Sequence, residues 1–308
     1  MEKELRKAYV ALSVVSVVWG TTYLASRISA QYIPGFFVSA VRQFISGLIL
    51  VSFFILKGHS LPGKKEAIQI LIQGILLLCI GNGLSSWSVQ YISSGLASII
   101  ASCVPLFIAL FSIVFFNVFK MTAAILVGIT LGLCGISIIF YEHLHQLLEA
   151  RFSFGIVIAF IAALSWAFGS VYASRRKSTI NILFSVGLQM LFAGCIMLPI
   201  CLMSGTYTNL LFANHEALLS LGYLIIIGSL LTYSAYVFAI SKLPATHVSI
   251  YAYFNPVIAI GLGGILLKEH LSANILLGTL VTLGGVYLVN NDFKGKDHDC
   301  YKDRELRT

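Results

Sequence analysis

Ten apolar runs of roughly membrane-crossing length, joined by short polar segments, constrain this chain more than any other feature. They cover approximately 10–28, 36–56, 68–89, 96–116, 123–141, 154–173, 182–203, 218–240, 248–267 and 273–289. A helix that crosses a hydrocarbon core about 30 Å thick needs roughly 20 mostly apolar residues. The runs do not alternate apolar and polar residues over short segments, as membrane-barrel strands would. Composition agrees: 58% of residues are hydrophobic, 10% are charged, and the mean hydropathy is +0.92. A soluble domain carries about a quarter charged residues, and a disordered chain needs low hydrophobicity with high charge, so both classes are excluded. The expectation is an all-α integral membrane protein with ten transmembrane helices.

The first run follows a basic start (Lys3, Arg6, Lys7), as a signal peptide would. It is too long for one and no Ala-x-Ala-type site follows it, so a retained first helix is expected. Six cysteines are scattered over the spans and tail, which fits neither a disulfide framework nor a metal site. Basic residues in short loops favour the cytoplasmic side. With the N-terminus inside, 16 of the lysines and arginines fall on the cytoplasmic face and only Arg27, Arg151 and Lys268 on the other. Both termini are therefore expected in the cytoplasm, and the net charge of +8 reflects this bias together with a basic tail. Nucleic-acid binding would need a solvated basic domain, which the chain lacks.

The two halves resemble each other. Gly128, Leu133 and Gly135 recur as Gly278, Leu283 and Gly285, and Ser98-Ile99-x-Ala101-x-x-x-Pro105 recurs as Ser249-Ile250-x-Ala252-x-x-x-Pro256. Trp19 pairs with Trp166, Ser39 with Ser185, and Gln43 with Gln189. The expected organisation is a first repeat over 8–141, an outer linker over 142–152, a second repeat over 153–290 and a basic cytoplasmic tail over 291–308. Five helices per repeat is an odd number, so the second half is expected to insert upside down. Inverted repeats around a central site are a common plan of secondary transporters.

Several motifs also carry a family resemblance: Trp19-Gly20-Thr21-Thr22-Tyr23-Leu24-Ala25, Pro34…Arg42, Gly81-Asn82-Gly83-Leu84…Trp87…Gln90-Tyr91, Ser94-Gly95-Leu96-Ala97…Pro105, Ala163-Leu164-Ser165-Trp166-Ala167, Pro244-Ala245-Thr246…Tyr251-Ala252-Tyr253…Asn255-Pro256, and Glu269 with Leu271. Over almost the whole chain they resemble the EamA-type carriers of the drug/metabolite transporter superfamily, most of all its PecM/YedA-like branch. The resemblance implies a bacterial inner-membrane metabolite exporter, with amino acids and related small molecules as typical cargo. The chain departs from many relatives in having Val89 before the helix-three glutamine, and its first repeat has no counterpart to Glu269.

An ionisable group inside a bilayer is costly and points to function. Arg42 is the one unambiguous case, read either as a fork for an anionic substrate group or as a structural contact. All 12 acidic residues lie in loops, tails or helix ends, which favours a facilitator or exchanger, or coupling through an edge group such as Glu269. The candidate substrate-binding residues are Trp19, Tyr23, Arg42, Asn82, Trp166, Tyr233, Tyr251 and Asn255, set against the plainer reading of aromatics as lipid-facing anchors. Pro105 and Pro256 are candidate kinks for gating, since each removes a backbone donor from its span. A cavity lined by helices 1, 3, 4, 6, 8 and 9 is expected, with helices 5 and 10 as scaffold through Gly128-x-x-x-Gly132 and Gly278-x-x-x-Thr282. No nucleotide-binding loop or convergent catalytic group is found, and His143-x-His145 sits in an amphipathic loop, so no enzyme activity, metal or cofactor is expected. The expected partners are a small metabolite and the lipid bilayer, with a homodimer left open. A flippase for lipid-linked substrates and a non-transport membrane sensor remain alternatives.

Overall fold

The computed structural model describes residues 2–115, 122–142, 146–175, 179–210, 213–269 and 272–305. Lys120, His143, His145, Arg176, Lys177, His270, Leu271 and Arg307 thus lie outside the described residues. The described chain is helical almost throughout: α1 (Glu2–Ala30), α2 (Gly35–Leu56), α3 (Lys64–Ser88), α4 (Ser94–Val114), α5 (Ala123–Glu142), α6 (Ala150–Ser174), α7 (Ile182–Met203), α8 (His215–Lys242), α9 (Ala245–Val248 and, after a turn, Tyr251–Leu266) and α10 (Ala273–Glu305). Seven of these, α1 to α4 and α6 to α8, are long and apolar enough to cross a membrane. The apolar parts of the other three, Ala123–Ile139, Tyr251–Leu266 and Ala273–Val289, are shorter.

Short polar side chains start several helices by taking up amides that the first turn leaves unpaired. Ser93 accepts from Leu96 N, Asn181 from Leu183 N and Phe184 N, and Asn214 from Glu216 N. Large apolar side chains such as Leu126, Ile226, Ile265 and Leu280 stand exposed on the outside. In water these faces would be aggregation patches; in a bilayer they meet acyl chains.

The helices interlock across the halves. α1 packs on α8 and α9, and α6 packs in the same way on α3 and α4. Three further contacts are mutual, α2 with α7, α4 with α9 and α5 with α10, and α7 packs on α3 as α2 packs on α8. Glycine sets the closest of them. A Cβ at Gly278 would lie 2.6 Å from Gly135 O, one at Gly128 2.7 Å from Gly285 O, and one at Gly194 2.5 Å from Phe44 Cα. Such close approach maximises dispersion where lipid supplies no hydrophobic drive. α5 and α10 therefore form a paired scaffold at the edge of the bundle.

The middle of α3 and the middle of α8 are π-helical, over Gly74–Asn82 and Leu224–Tyr233. This wider winding loosens the backbone ladder, and serines from neighbouring helices reach into it. Ser165 of α6 donates to Leu76 O at 2.8 Å, and Ser46 of α2 donates to Ile225 O at 3.3 Å.

Candidate functional site

A cavity of about 80 Å³ lies between α1, α2, α3, α4, α6 and α9. One end of the bundle is marked by Arg27 donating to the carbonyl of Val89 and by Glu269 seated on the start of α4. The other end is marked by Thr179 donating to Glu66 at 2.6 Å and by Thr122 donating to Asp292 at 2.9 Å. Ser26 and Val89 carry the cavity towards the first end, whereas Trp19, Trp166 and Tyr251 floor it towards the second.

The floor is an aromatic cluster. Trp19 meets Trp166 edge-on, with centroids 5.2 Å apart, and Tyr251 edge-on at 4.9 Å. Tyr236 packs behind both tryptophans at 4.9 and 5.3 Å, and its hydroxyl pairs with Ser170 Oγ at 2.5 Å. Offset and edge-to-face contacts of this kind are favourable beyond the area they bury. Small residues complete a second wall: Ala97 and Ala101 from α4, and Ala159, Ala162 and Ala163 from α6.

Arg42 supplies the charged wall. It is 3% exposed, and its Nε donates to Ser229 Oγ of α8 at 3.0 Å. The group bonds to α8 and also lines the cavity. Among the described residues no carboxylate pairs with it or lines the cavity. An arginine at mid-helix costs about 2.5–3.5 kcal/mol on insertion scales, several times the ~0.6 kcal/mol of an average interhelical hydrogen bond in a membrane. The Ser229 bond alone does not offset that cost.

Asn82 closes the π segment of α3. Its Oδ1 accepts from Ser39 Oγ at 3.0 Å and from Gln43 Nε2 at 3.2 Å, while its other amide edge is left to the cavity. Asn255 is 3% exposed, and among the described residues its Oδ1 has no hydrogen-bond partner. Buried polar atoms are rarely orphaned, so this one is noteworthy in a residue of the cavity wall.

Seven of the eight candidate residues thus come together on one cavity: Trp19, Tyr23, Arg42, Asn82, Trp166, Tyr251 and Asn255. Tyr233 does not. Its hydroxyl donates to Gln189 Oε1 at 2.5 Å, which turns it towards α7. For the same reason α8 backs the cavity instead of lining it, and α2 takes its place through Arg42. Pro105 follows the Ser102–Cys103 turn that interrupts α4, as a kink residue should. Pro256 instead lies inside the continuous Tyr251–Leu266 segment, and α9 turns earlier, at Ser249–Ile250. There Ala252 N and Tyr253 N bond three residues back, at 3.0 and 3.1 Å, tightening the chain before the proline is reached. Ser26, Ser85, Ser86 and the alanine wall were not among the candidates, although the alanines recur at spacings of three and four in the sequence.

The EamA-like transporter family model matches residues 6–141 and again 153–291. The chain belongs to this family. It is 32% identical over 291 residues to the uncharacterized inner membrane transporter YedA of Escherichia coli (strain K12), covering 92% of each chain. It is 24% identical over 283 residues to the uncharacterized transporter YoaV of Bacillus subtilis (strain 168), covering 92% of this chain and 96% of that one. One crystal structure with 18% identity superposes with a TM-score of 0.65 over 93% of this chain and 97% of the other, and so shares the fold. This EamA protein is therefore a multi-pass inner-membrane transporter.

Proposed function

We propose that this transporter is a secondary carrier that exports amino acids or related small metabolites by alternating access. In this reading ten helices cross the membrane as two inverted five-helix repeats, with both termini in the cytoplasm. The observation that carries it is the matched packing of the halves, α1 on α8 and α9 against α6 on α3 and α4, around one central cavity. Two halves that make the same contacts can trade conformations, closing one end as the other opens. The paired family matches and the excess of basic residues on one set of loops support the repeats and the orientation. A cavity of about 80 Å³ with a polar wall suits a small solute better than a lipid-linked one.

Proton relays run through membrane carboxylates, and among the described residues none lines this cavity. The carrier is therefore read as a facilitator or exchanger. The test is efflux from reconstituted vesicles loaded with a mixture of amino acids and small organic acids, with and without an imposed pH gradient. Protein-dependent efflux of at least one solute, unchanged by the gradient, is the expected result. Absence of any efflux ends the carrier reading, and strict dependence on the gradient ends the uncoupled one.

A further inference from the structure

We infer that the cavity takes its cargo by a carboxylate set on the Arg42 fork, and so selects small organic acids over matched neutral and cationic solutes. This deepens the carrier reading and rests on it. The Nε of Arg42 is tied to Ser229 at 3.0 Å, and the residue lines the cavity with no other hydrogen bond to its guanidinium among the described residues. Gly228 makes room for this pose, since a Cβ there would lie 3.0 Å from Arg42 Nη2. A planar fork with parallel N–H groups matches a carboxylate bidentately. With no carboxylate on the cavity wall among the described residues, the charge is left for a ligand to neutralise. A cation would meet like charge in a low dielectric, where repulsion is poorly screened.

The rest of the wall fits the body of such an acid. Alanines of α4 and α6 and the ring of Trp19 offer it apolar contact. Charge is thus read at one wall and shape at the others.

The test is calorimetric titration of the purified full-length protein in nanodiscs with benzoate, benzamide, benzylammonium and phenyl phosphate. These share one ring and differ in the group presented to Arg42. Benzoate is expected to bind at least about tenfold more tightly than the other three, a difference of about 1.4 kcal/mol. Arg42→Gln should remove that preference. Arg42→Lys, which keeps the charge but not the fork, should weaken benzoate several-fold and leave benzamide unchanged, and it serves if the glutamine variant does not fold. The inference is overturned if benzoate shows no heat up to tens of millimolar, if benzamide or benzylammonium binds as well, if phenyl phosphate binds more tightly, or if Arg42→Lys keeps full benzoate affinity. Charge-blind efflux from vesicles would remove this inference and leave the carrier reading; charge-selective binding with no efflux would do the reverse.

Discussion

The hydroxyl of Tyr233 donates to Gln189 Oε1 at 2.5 Å, and in the other half Gln43 donates to Asn82 Oδ1 at 3.2 Å. The glutamines occupy matching places in α7 and α2, and each partner closes a π segment, Leu224–Tyr233 in α8 and Gly74–Asn82 in α3. The clamp is duplicated but the residue beside it is not. Arg42 precedes Gln43, whereas Leu188 precedes Gln189 and packs among Phe54, Val51 and Phe184. The fold is close to two-fold in its contacts, and the site is one-sided because only one half carries the charge.

Tyr233→Phe removes one interhelical bond but leaves Gln189 its contacts with Gln73 and Ser185. The expected loss of stability is about 0.6 kcal/mol, with near-normal flux because Tyr233 does not line the cavity. Asn82→Ala removes two bonds of the same class on the cavity wall, from Ser39 and Gln43, and should cut flux several-fold for a stability loss of about 1.2 kcal/mol. Thermal unfolding measured beside vesicle efflux separates the two.

Gly278→Leu should lower the yield of folded protein sharply, because its Cβ would lie 2.6 Å from Gly135 O and force α5 and α10 apart. Gly284→Leu is the control on the same helix, where an added Cβ meets nothing within 4 Å. Equal monodisperse yields of the two variants by size-exclusion chromatography would contradict the scaffold role of the glycine seam.

Glu269 binds the start of α4 through Ser94 N at 2.9 Å, Ser94 Oγ at 2.9 Å and Gly95 N at 3.3 Å. A carboxylate there also meets the positive end of the helix. Glu269→Gln should cost about 1–2 kcal/mol and loosen that end of the bundle. In a cysteine-free background, Ser26→Cys should then be labelled faster by a membrane-impermeant thiol reagent; an unchanged rate would mean that the clasp is not a gate.

Pro105→Ala should slow transport several-fold while expression changes little, since Pro105 adjoins the turn that breaks α4. Pro256→Ala should act more weakly on flux, because the turn in α9 lies at Ser249–Ile250. A larger effect at Pro256 than at Pro105, read as initial efflux rate per folded protein, would reverse this ranking of the two hinges.

Much was readable from the residues alone. The helical runs and the glycine seam were legible because a bilayer requires each span to satisfy its own backbone and rewards small residues at close contacts. Arg42 and the Trp19, Trp166 and Tyr251 cluster stood out because polar and aromatic groups are conspicuous at mid-span. The π segments were not legible, since no residue pattern distinguishes that winding from an α-helix. The direction of Tyr233, the place of α2 instead of α8 on the cavity, and the early turn of α9 also needed the packed structure. In water the polar face of a helix announces its rotation. In a membrane, lipid-facing and protein-facing sides are both apolar, so rotation is set by which neighbour a side chain finds, and only the assembled bundle decides which groups share a cavity.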